Sequence, residues 1–485
     1  MDNEIELRPY QIEDLSFGIA NERWLNLSDP GTGKTPTTCV WLWYQWIERQ
    51  RKSIWSQPKS LLYKNRDELI RFTDFESRDV VVLEHDHLEA KPYEQKGLAN
   101  GKMYRRFKKF PQYWKRLARG EIIDLIAETD AKVILCGFRF MTRFWKRIIQ
   151  KGLFGALAID EAHFAYGSAT SQNTIALNDV LRYCPAMCAM TGTLLNGRLD
   201  SVFPLIHAIE PRYYGSYAGF RQQHVAFEDD YGRVLKWKNE DKVGAILLAH
   251  SVRHTFEEVY GKEPVVFLQD RVAMTDAMRE QYDLFHDQAM LELEDGFLDG
   301  SLPGVATIRA RQIMQHPETM GLCKDELTAK DERLLIHLQD AMDRGENLLI
   351  FAIYKPEQER LVRILEAAGR RVGMFNSDVP MSVRVEIDRE FTAGRIDDVV
   401  GSPATMGVGW NWEHVDHVIY MDLDYTDVTF LQAYRRASRG TRTKPLRVTV
   451  MEYIDSLDQR VQGIVRDKSI LANRVDPTRP ILMFV

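Results

Sequence analysis

The fold class this sequence predicts is α/β, with two doubly wound parallel-sheet lobes and short helical insertions, and three observations predict it. Apolar runs of four or five residues recur along the chain with helical patterns between them, as parallel strands covered on both faces require. These runs fall into two blocks of similar size, roughly residues 1–265 and 266–485, joined by polar helical stretches. The length of 485 residues is enough for more than one full core.

In chain order, Leu7-Arg8-Pro9-Tyr10-Gln11 opens a helix that runs to about residue 21, and an apolar strand at 24–27 follows. A glycine-rich loop, Ser28-Asp29-Pro30-Gly31-Thr32-Gly33-Lys34-Thr35, leads into a helical pattern over 37–51. Strands are expected at 53–56, 80–83, 133–136, 156–159 and 186–190, with a helix beginning at Gln57-Pro58-Lys59-Ser60. Residues 211–254 read as helical and polar, with an acidic cluster at Glu228-Asp229-Asp230. A strand at 264–268 precedes a helical, acidic stretch reaching about residue 327. The second block starts near Lys330, with strands at 348–351, 371–374, 398–400, 417–420 and 448–451.

Composition excludes several classes. A hydrophobic content of 45% with 28% charged residues is that of a globular protein, and no apolar run nears the ~18 residues of a membrane span. The acidic opening, Met1-Asp2-Asn3-Glu4, is unlike a signal peptide. Five scattered cysteines (Cys39, Cys136, Cys184, Cys188, Cys323) read as reduced core residues of a cytoplasmic protein. The net charge of −6 is unevenly spread: residues 96–151 hold fifteen Lys/Arg against four Asp/Glu, +11, which leaves −17 for the remainder. Local charge is what a phosphate backbone meets.

Strand, glycine-rich loop and helix N-terminus form a phosphate cradle, because glycines let backbone N–H groups close on the phosphate at the positive end of the helix dipole. Lys34 is expected on the β- and γ-phosphates of ATP and Thr35 on Mg²⁺, with Asp29, Gly31, Thr32 and Gly33 lining the loop. Asp160-Glu161-Ala162-His163 stands at the end of a strand, where ligands bind in parallel sheets. Asp160 would hold Mg²⁺, and Glu161 would orient and deprotonate the attacking water; a plain helix N-cap is the alternative. Thr191-Gly192-Thr193 follows the next strand and reads as a coupling element or as a turn. In Gln432-Ala433-Tyr434-Arg435-Arg436-Ala437-Ser438-Arg439, helical spacing puts Gln432, Arg436 and Arg439 on one face. Arginines facing a triphosphate would stabilise phosphoryl transfer, whereas a solvated basic face would do nothing chemical. In the basic segment, Arg105, Arg106, Lys108 and Lys109 alternate with aromatic residues, so the cations suit nucleic-acid phosphates while the aromatics suit bases or the core.

In this order these residues resemble helicase superfamily two, and within it the Swi/Snf-type DNA translocases. Residues 7–11 are similar to the family's adenine-side element, with Arg8 and Gln11 near the base, and 28–35 to motif I. Residues 57–62, including Lys59 and Ser60, resemble motif Ia. Residues 160–163 resemble motif II (the DEAH box, with His163 in coupling), and 190–196 motif III. Arg311-Gln312-Ile313-Met314-Gln315-His316-Pro317 and Ala329-Lys330 resemble segments peculiar to the Swi/Snf branch. Residues 402–411 resemble motif V, with Thr405 and Asn411 toward nucleic acid and Gly409 toward nucleotide; 432–439 resemble motif VI, with Arg439 as arginine finger. The resemblance implies two RecA-like lobes, ATP and Mg²⁺ as cofactors, and stepwise movement on DNA, duplex favoured over single strands or RNA. Pro30 and Ala162 depart from the usual family pattern, and the helical protrusions are short, which suggests a minimal prokaryotic or phage-type enzyme rather than a nucleosome remodeller. Two alternatives stand beside this: an RNA-directed or strand-separating helicase, and a nucleotide-gated DNA clamp with little turnover. The apolar residues 481–485 would pack on their own lobe or dock a recruiting protein.

Overall fold

The computed structural model describes residues 6–83, 131–195, 197–261, 264–288, 305–322, 327–407, 409–438, 442 and 444–482, and the backbone at 89–90, 115–116, 290–293 and 296–299. The chain divides into two compact units, one of residues 1–195 and 199–254, the other of 196–198 and 255–485.

The first unit is built on a seven-stranded sheet in which every neighbouring pair is parallel. Its strands are β1 (Arg23–Asn26), β2 (Ser53–Gln57), β3 (Val80–Leu83), β4 (Val133–Gly137), β5 (Ala156–Ile159), β6 (Ala186–Met190) and β7 (Ser251–Val252), in the spatial order β7-β1-β6-β5-β2-β4-β3. The apolar runs form strands for the reason expected of parallel sheets: β2, β5 and β6 are buried at every position. Trp24, Trp41, Trp55, Leu42 and Leu135 close one face of the core with no exposed surface, each burial of this kind contributing about 1.5–3 kcal/mol. Because all strands run the same way, the glycine-rich loop, Gln57, Gly137, Asp160 and Thr191 share the sheet's carboxyl edge. Only β6 separates β1 from β5, so the glycine-rich loop and Asp160 stand two strand spacings apart, about 10 Å.

Two sequence expectations for this unit are corrected. The helix after the loop is Lys34–Ile47, starting three residues earlier than expected, because Gly33 supplies a left-handed N-cap. Residues 211–254 are not wholly helical: Val225–Glu228 pairs antiparallel with Val234–Trp237. The acidic cluster makes that hairpin's turn, where Asp229 Oδ1 accepts from the backbone N–H of Tyr231 (3.1 Å) and Arg233 (2.8 Å). A side chain that bonds its own backbone two residues on favours a turn over a helix.

The second unit carries a six-stranded, all-parallel sheet: β8 (Val265–Val272), β9 (Leu348–Phe351), β10 (Val372–Phe375), β11 (Asp398–Gly401), β12 (His417–Tyr420) and β13 (Leu446–Tyr453), ordered β8-β13-β12-β9-β11-β10. β8 and β13 pair over eight residues, longer than the sequence indicated. The stretch expected to be helical up to 327 holds two helices, Asp276–Gln288 and Val305–Gln315, with an antiparallel hairpin, Met290–Leu293 and Gly296–Asp299, between them. The fold class is therefore as the sequence predicts, two doubly wound parallel-sheet lobes, with β-hairpins as well as helices in the insertions. No helix among the described residues is long and apolar enough to cross a membrane.

Candidate functional site

The loop after β1 is shaped by two left-handed glycines, Gly31 (φ +87°) and Gly33 (φ +86°), a conformation that costs an L-residue with a Cβ. Lys34 Nζ donates to the carbonyls of Ser28 (2.7 Å) and Asp29 (2.9 Å), so the ammonium is held by main-chain dipoles of its own loop. Thr32 Oγ1 donates to Asp29 O (2.7 Å), and Thr35 stands in the first helical turn, half-buried. The loop is anchored from the N-terminal helix Pro9–Ala20: Gln11 Nε2 donates to Gly33 O (2.9 Å) and the Tyr10 hydroxyl to Thr32 O (2.5 Å). Gln11 is buried, while Arg8 is exposed at that helix's N-cap.

The acidic pair sits across β6 from the loop. Asp160 Oδ2 accepts from Asn65 Nδ2 (3.0 Å), and its Oδ1 from the Glu161 backbone N–H (2.9 Å). Glu161 is one of four non-glycine residues with positive φ among those described (+48°), the kind of strain that functional sites retain. The helix it precedes, Ala162–Ala165, has four residues, and the Glu161 side chain makes no capping bond to it. Enclosure raises the Asp160 carboxyl to about 6, Glu161 adds to the rise, and the Asn65 amide and Lys34 oppose it. Enclosure likewise lowers Lys34 to about 8, against the pull of Glu161, Asp160 and Asp29. Two groups displaced in opposite directions on one sheet edge mark a functional site more often than a structural one.

His163, Thr191 and Thr193 meet in one cluster. The Thr191 hydroxyl donates to Thr193 O (2.9 Å) and accepts from Thr193 N (3.0 Å). His163 Nδ1 lies 2.9 Å from Thr191 Oγ1 and 3.5 Å from Glu161 Oε2, which places the ring proton on Nδ1. Gly192 faces the glycine-rich loop, since a Cβ there would lie 2.7 Å from Pro30 Cδ.

Lys59 lies in the 3₁₀ turn Lys59–Leu61 and lines a cavity of about 480 Å³ with Gln57, Pro58, Gly137, Arg139 and Arg143; Ser60 is its half-buried neighbour in that turn. The structure thus sets Lys59 beside two cations from another element. Arg105, Arg106, Lys108 and Lys109 lie outside the described residues, as does Arg439.

In the second unit, the helix expected to carry Gln432 through Arg439 ends early, at Asp427–Tyr434. The next amides bond three residues back, Arg436 N to Ala433 O (3.2 Å) and Ala437 N to Tyr434 O (2.9 Å). Tertiary contacts pull the chain out of the helix: Arg436 O accepts from Trp412 N (2.8 Å), and Arg436 Nε donates to Gly407 O (2.7 Å). Gln432 and Arg436 are both buried against the 402–411 segment rather than lined up on a helix face. In that segment Gly409 is left-handed (φ +91°), Thr405 N bonds Ser402 Oγ (3.3 Å), and exposed Asn411 donates to Glu413 Oε1 (3.1 Å).

Several residues of the loop's surroundings escaped the sequence. Arg253 pairs with Asp29 (3.0 Å) and also donates to Leu27 O, while His254 pairs with Asp14 (2.8 Å) and lies 4.8 Å, ring to ring, from Tyr10. Arg253 and His254 follow β7, more than 200 residues downstream, and no local pattern announces them; Tyr10 stands inside the stretch 7–11 that the sequence had singled out, whereas Asn65 lies three residues past the stretch 57–62. Cys39, Cys136, Cys184 and Cys188 are buried free thiols, and Cys323 lies outside the described residues.

Residues 329–441 match the helicase conserved C-terminal domain. The chain is 22% identical over 303 residues to a candidate ATP-dependent helicase/translocase, YwqA, of Bacillus subtilis, a match over 59% of this chain and 32% of the relative. It is 31% identical over 115 residues to the ATP-dependent RNA helicase RhlB of Shewanella amazonensis, covering 23% of this chain and 26% of that protein. The chain thus spans about a third or less of the length of these curated relatives. Among solved structures it is similar to the Sulfolobus solfataricus SWI2/SNF2 ATPase core in complex with dsDNA, at 17% identity and a TM-score of 0.41, over 99% of this chain and 98% of that one.

Proposed function

We propose that the chain is a superfamily-two helicase of Swi/Snf type, an ATP-driven motor that translocates on DNA, duplex in preference to single strands or RNA. The observation that carries this is the carboxyl edge of the first sheet, where Lys34, Asp160 and Glu161 stand together, the Lys34 ammonium resting on the carbonyls of Ser28 and Asp29 and the proton affinities of Lys34 and Asp160 displaced in opposite directions. Lys34 leaves the carbonyls of Ser28 and Asp29 for the β- and γ-phosphates, exchanging dipoles for charges. Asp29, Gly31, Thr32 and Gly33 enclose the phosphates, and Arg8 and Gln11 lie toward the base.

The donor set fits Mg²⁺: Thr35 offers a hydroxyl and Asp160 a carboxylate, both hard oxygens, and nucleotide sites of this kind take the ion with one carboxylate and several waters. When bound, Mg²⁺ would neutralise charge on the phosphate oxygens. Glu161 takes the proton of the attacking water, and its strained backbone fixes the carboxylate for that task. Within the second unit, we assign Gln432, Arg436 and Arg439, with Gly409, to nucleotide hydrolysis on the strength of their resemblance to motifs V and VI. His163, Thr191, Gly192 and Thr193 report the nucleotide state from the acidic pair to the loop. Lys59, Ser60, Arg105, Arg106, Lys108, Lys109, Thr405 and Asn411 hold the nucleic acid. We place the protein in the cytoplasm.

ATP hydrolysis measured without nucleic acid, then with duplex DNA, single-stranded DNA and structured RNA at two salt concentrations, tests this. Duplex DNA is expected to give the largest stimulation, and Glu161→Gln to lower turnover on the order of 100- to 10,000-fold. Stimulation by RNA or single strands alone would instead mean a helicase of those substrates. No turnover by wild type under any condition would mean a nucleotide-gated clamp.

A further inference from the structure

The glycine-rich loop carries an acid, Asp29, where a phosphate cradle calls for positive charge. The backbone bonding of β1 runs on past Asn26. Leu27 N–H donates to Val252 O (2.9 Å) and Asp29 N–H to His254 O (2.9 Å), while Ser28 Oγ accepts from His254 N–H (3.0 Å). The start of the loop is thereby tied to the segment after β7. Arg253, between the two bonded residues of that segment, has its guanidinium on the loop: it donates to Leu27 O and pairs with the Asp29 carboxylate (3.0 Å). Both side chains are 9% exposed, so the pair is largely withdrawn from water and little screened by salt. Lys34 Nζ donates to the carbonyl of the same Asp29 (2.9 Å). Enclosure chiefly lowers the proton affinity of Lys34, but the Asp29 charge raises it and the Arg253 charge lowers it further. Acid and arginine are therefore both felt at the ammonium that takes the phosphates.

We propose that Arg253 is a positioning residue for the nucleotide: by holding the Asp29 carboxylate in an ion pair, it lets a loop that carries an acid close on a triphosphate. The inference rests on the nucleotide-binding reading of the loop and adds to it a residue 226 positions from Leu27. Arg253 acts through Asp29. Without the guanidinium, the enclosed carboxylate would repel phosphate oxygens in a site where a charge counts for more than it does in water. That repulsion acts between charges, so its effect should grow with the number of phosphates. A purely structural role would weaken every nucleotide alike.

The test is the affinity of the full-length protein, with Mg²⁺, for fluorescent analogues of ATP and of AMP. The proteins compared are wild type, Arg253→Met, Asp29→Asn and the double variant. Arg253→Met should weaken binding of the ATP analogue about ten-fold or more, and of the AMP analogue less than about three-fold. Adding Asp29→Asn to Arg253→Met should return ATP affinity to within about three-fold of wild type, because the charge that Arg253 offsets is then gone. If Arg253→Met does not fold, Asp29→Asn alone decides: with its acid removed, Arg253 should tighten the ATP analogue by about three-fold or more. Four results overturn the role given to Arg253 and leave the nucleotide site in place. They are wild-type ATP affinity in Arg253→Met, equal losses for ATP and AMP, a double variant as weak as Arg253→Met, and weaker ATP binding in Asp29→Asn. A wild type that binds neither analogue overturns the nucleotide reading and this inference with it.

Discussion

At the carboxyl edge of the first sheet, Lys34 and Asp160 are only partly buried, the ammonium resting on two carbonyls and the carboxylate on two N–H donors. In the second lobe, Arg311, Lys330 and Arg360 are sealed at 3%, 1% and 7% exposure, and each meets a carboxylate. Arg311 pairs with Asp422 (3.1 Å), Lys330 with Asp458 (2.7 Å), and Arg360 with Glu318 (3.0 Å) and Asp331 (3.4 Å). Tyr354 and Tyr425 add their ring faces to Arg311. Glu357, also sealed, is driven well above the carboxylate range by burial and then by Asp422. Both lobes therefore enclose charge and both hold buried ion pairs, Arg253 with Asp29 in the first, but the Lys34 ammonium rests on carbonyls whereas each of these three cations of the second lobe meets a carboxylate. A cation with a buried carboxylate is part of the architecture; a cation held by dipoles at an open edge is available to a ligand.

The sharpest way to break this contrast is to remove one lysine from each lobe. Lys330→Ala strands Asp458 in a dry site and should cost about 3–5 kcal/mol of stability, read as a lower urea midpoint. Lys34→Ala should leave that midpoint close to wild type and reduce ATP turnover on the order of 100- to 1000-fold, the loss of one cation on developing phosphate charge. The reverse outcome, an unfolded Lys34→Ala and a stable but inactive Lys330→Ala, would dissolve the distinction. Replacing Arg311 and Asp422 together by Met and Leu sharpens it: the double variant should be more stable than either single one, because an apolar pair leaves no unpaired charge.

Protons separate the lobes next. In the first, empty-site affinity for Mg²⁺-nucleotide should peak between the two displaced values. Below about 6 Asp160 gains a proton and loses the metal, and above about 8 Lys34 loses its charge. In the second, burial lowers His316 to about 4 and His417 to about 3. A folded-state pKa below the unfolded value near 6.5 means that unfolding takes up protons, so stability present above pH 6.5 is lost as pH falls toward 4. By pH 5 the loss should be about 2 kcal/mol for each histidine. Thermal denaturation across pH should show this slope, and His417→Asn should flatten it; a slope unchanged in that variant would place the titration elsewhere.

The strands were legible because each is a short apolar run whose neighbours in the sheet are equally apolar, which needs no knowledge of partners. The hairpin at 225–237 was not, because its strands are half polar and its turn is set by Asp229 bonding local amides, an arrangement that reads equally well as a polar helix. At the site, Lys34, Asp160 and Glu161 announce themselves because phosphate and metal chemistry fixes their type and spacing. Arg253 does not, since it reaches Asp29 only through the placement of β7 beside β1. Helical spacing misled at Arg436, where tertiary bonds to Trp412 and Gly407 outweigh one more helical turn.

The smallest expected effect distinguishes two left-handed glycines. Gly345 (φ +64°), the C-cap of the helix Ala329–Arg344, has nothing within 4 Å of where a Cβ would be, so Gly345→Ala meets only backbone strain, about 1–2 kcal/mol of stability. Gly33 (φ +86°) carries the same strain, and its Cβ would in addition lie 2.5 Å from Gln11 Nε2. Gln11 must then release Gly33 O, which frees the loop from the N-terminal helix. The two variants should therefore lose similar stability in urea, while only Gly33→Ala weakens binding of a fluorescent nucleotide, by on the order of ten-fold if about 1.4 kcal/mol of the strain falls on the bound loop. Equal nucleotide affinity in both would mean that the loop closes on phosphate without its Gln11 anchor, and the open edge of the first lobe would then be as tolerant of local strain as the sealed second one.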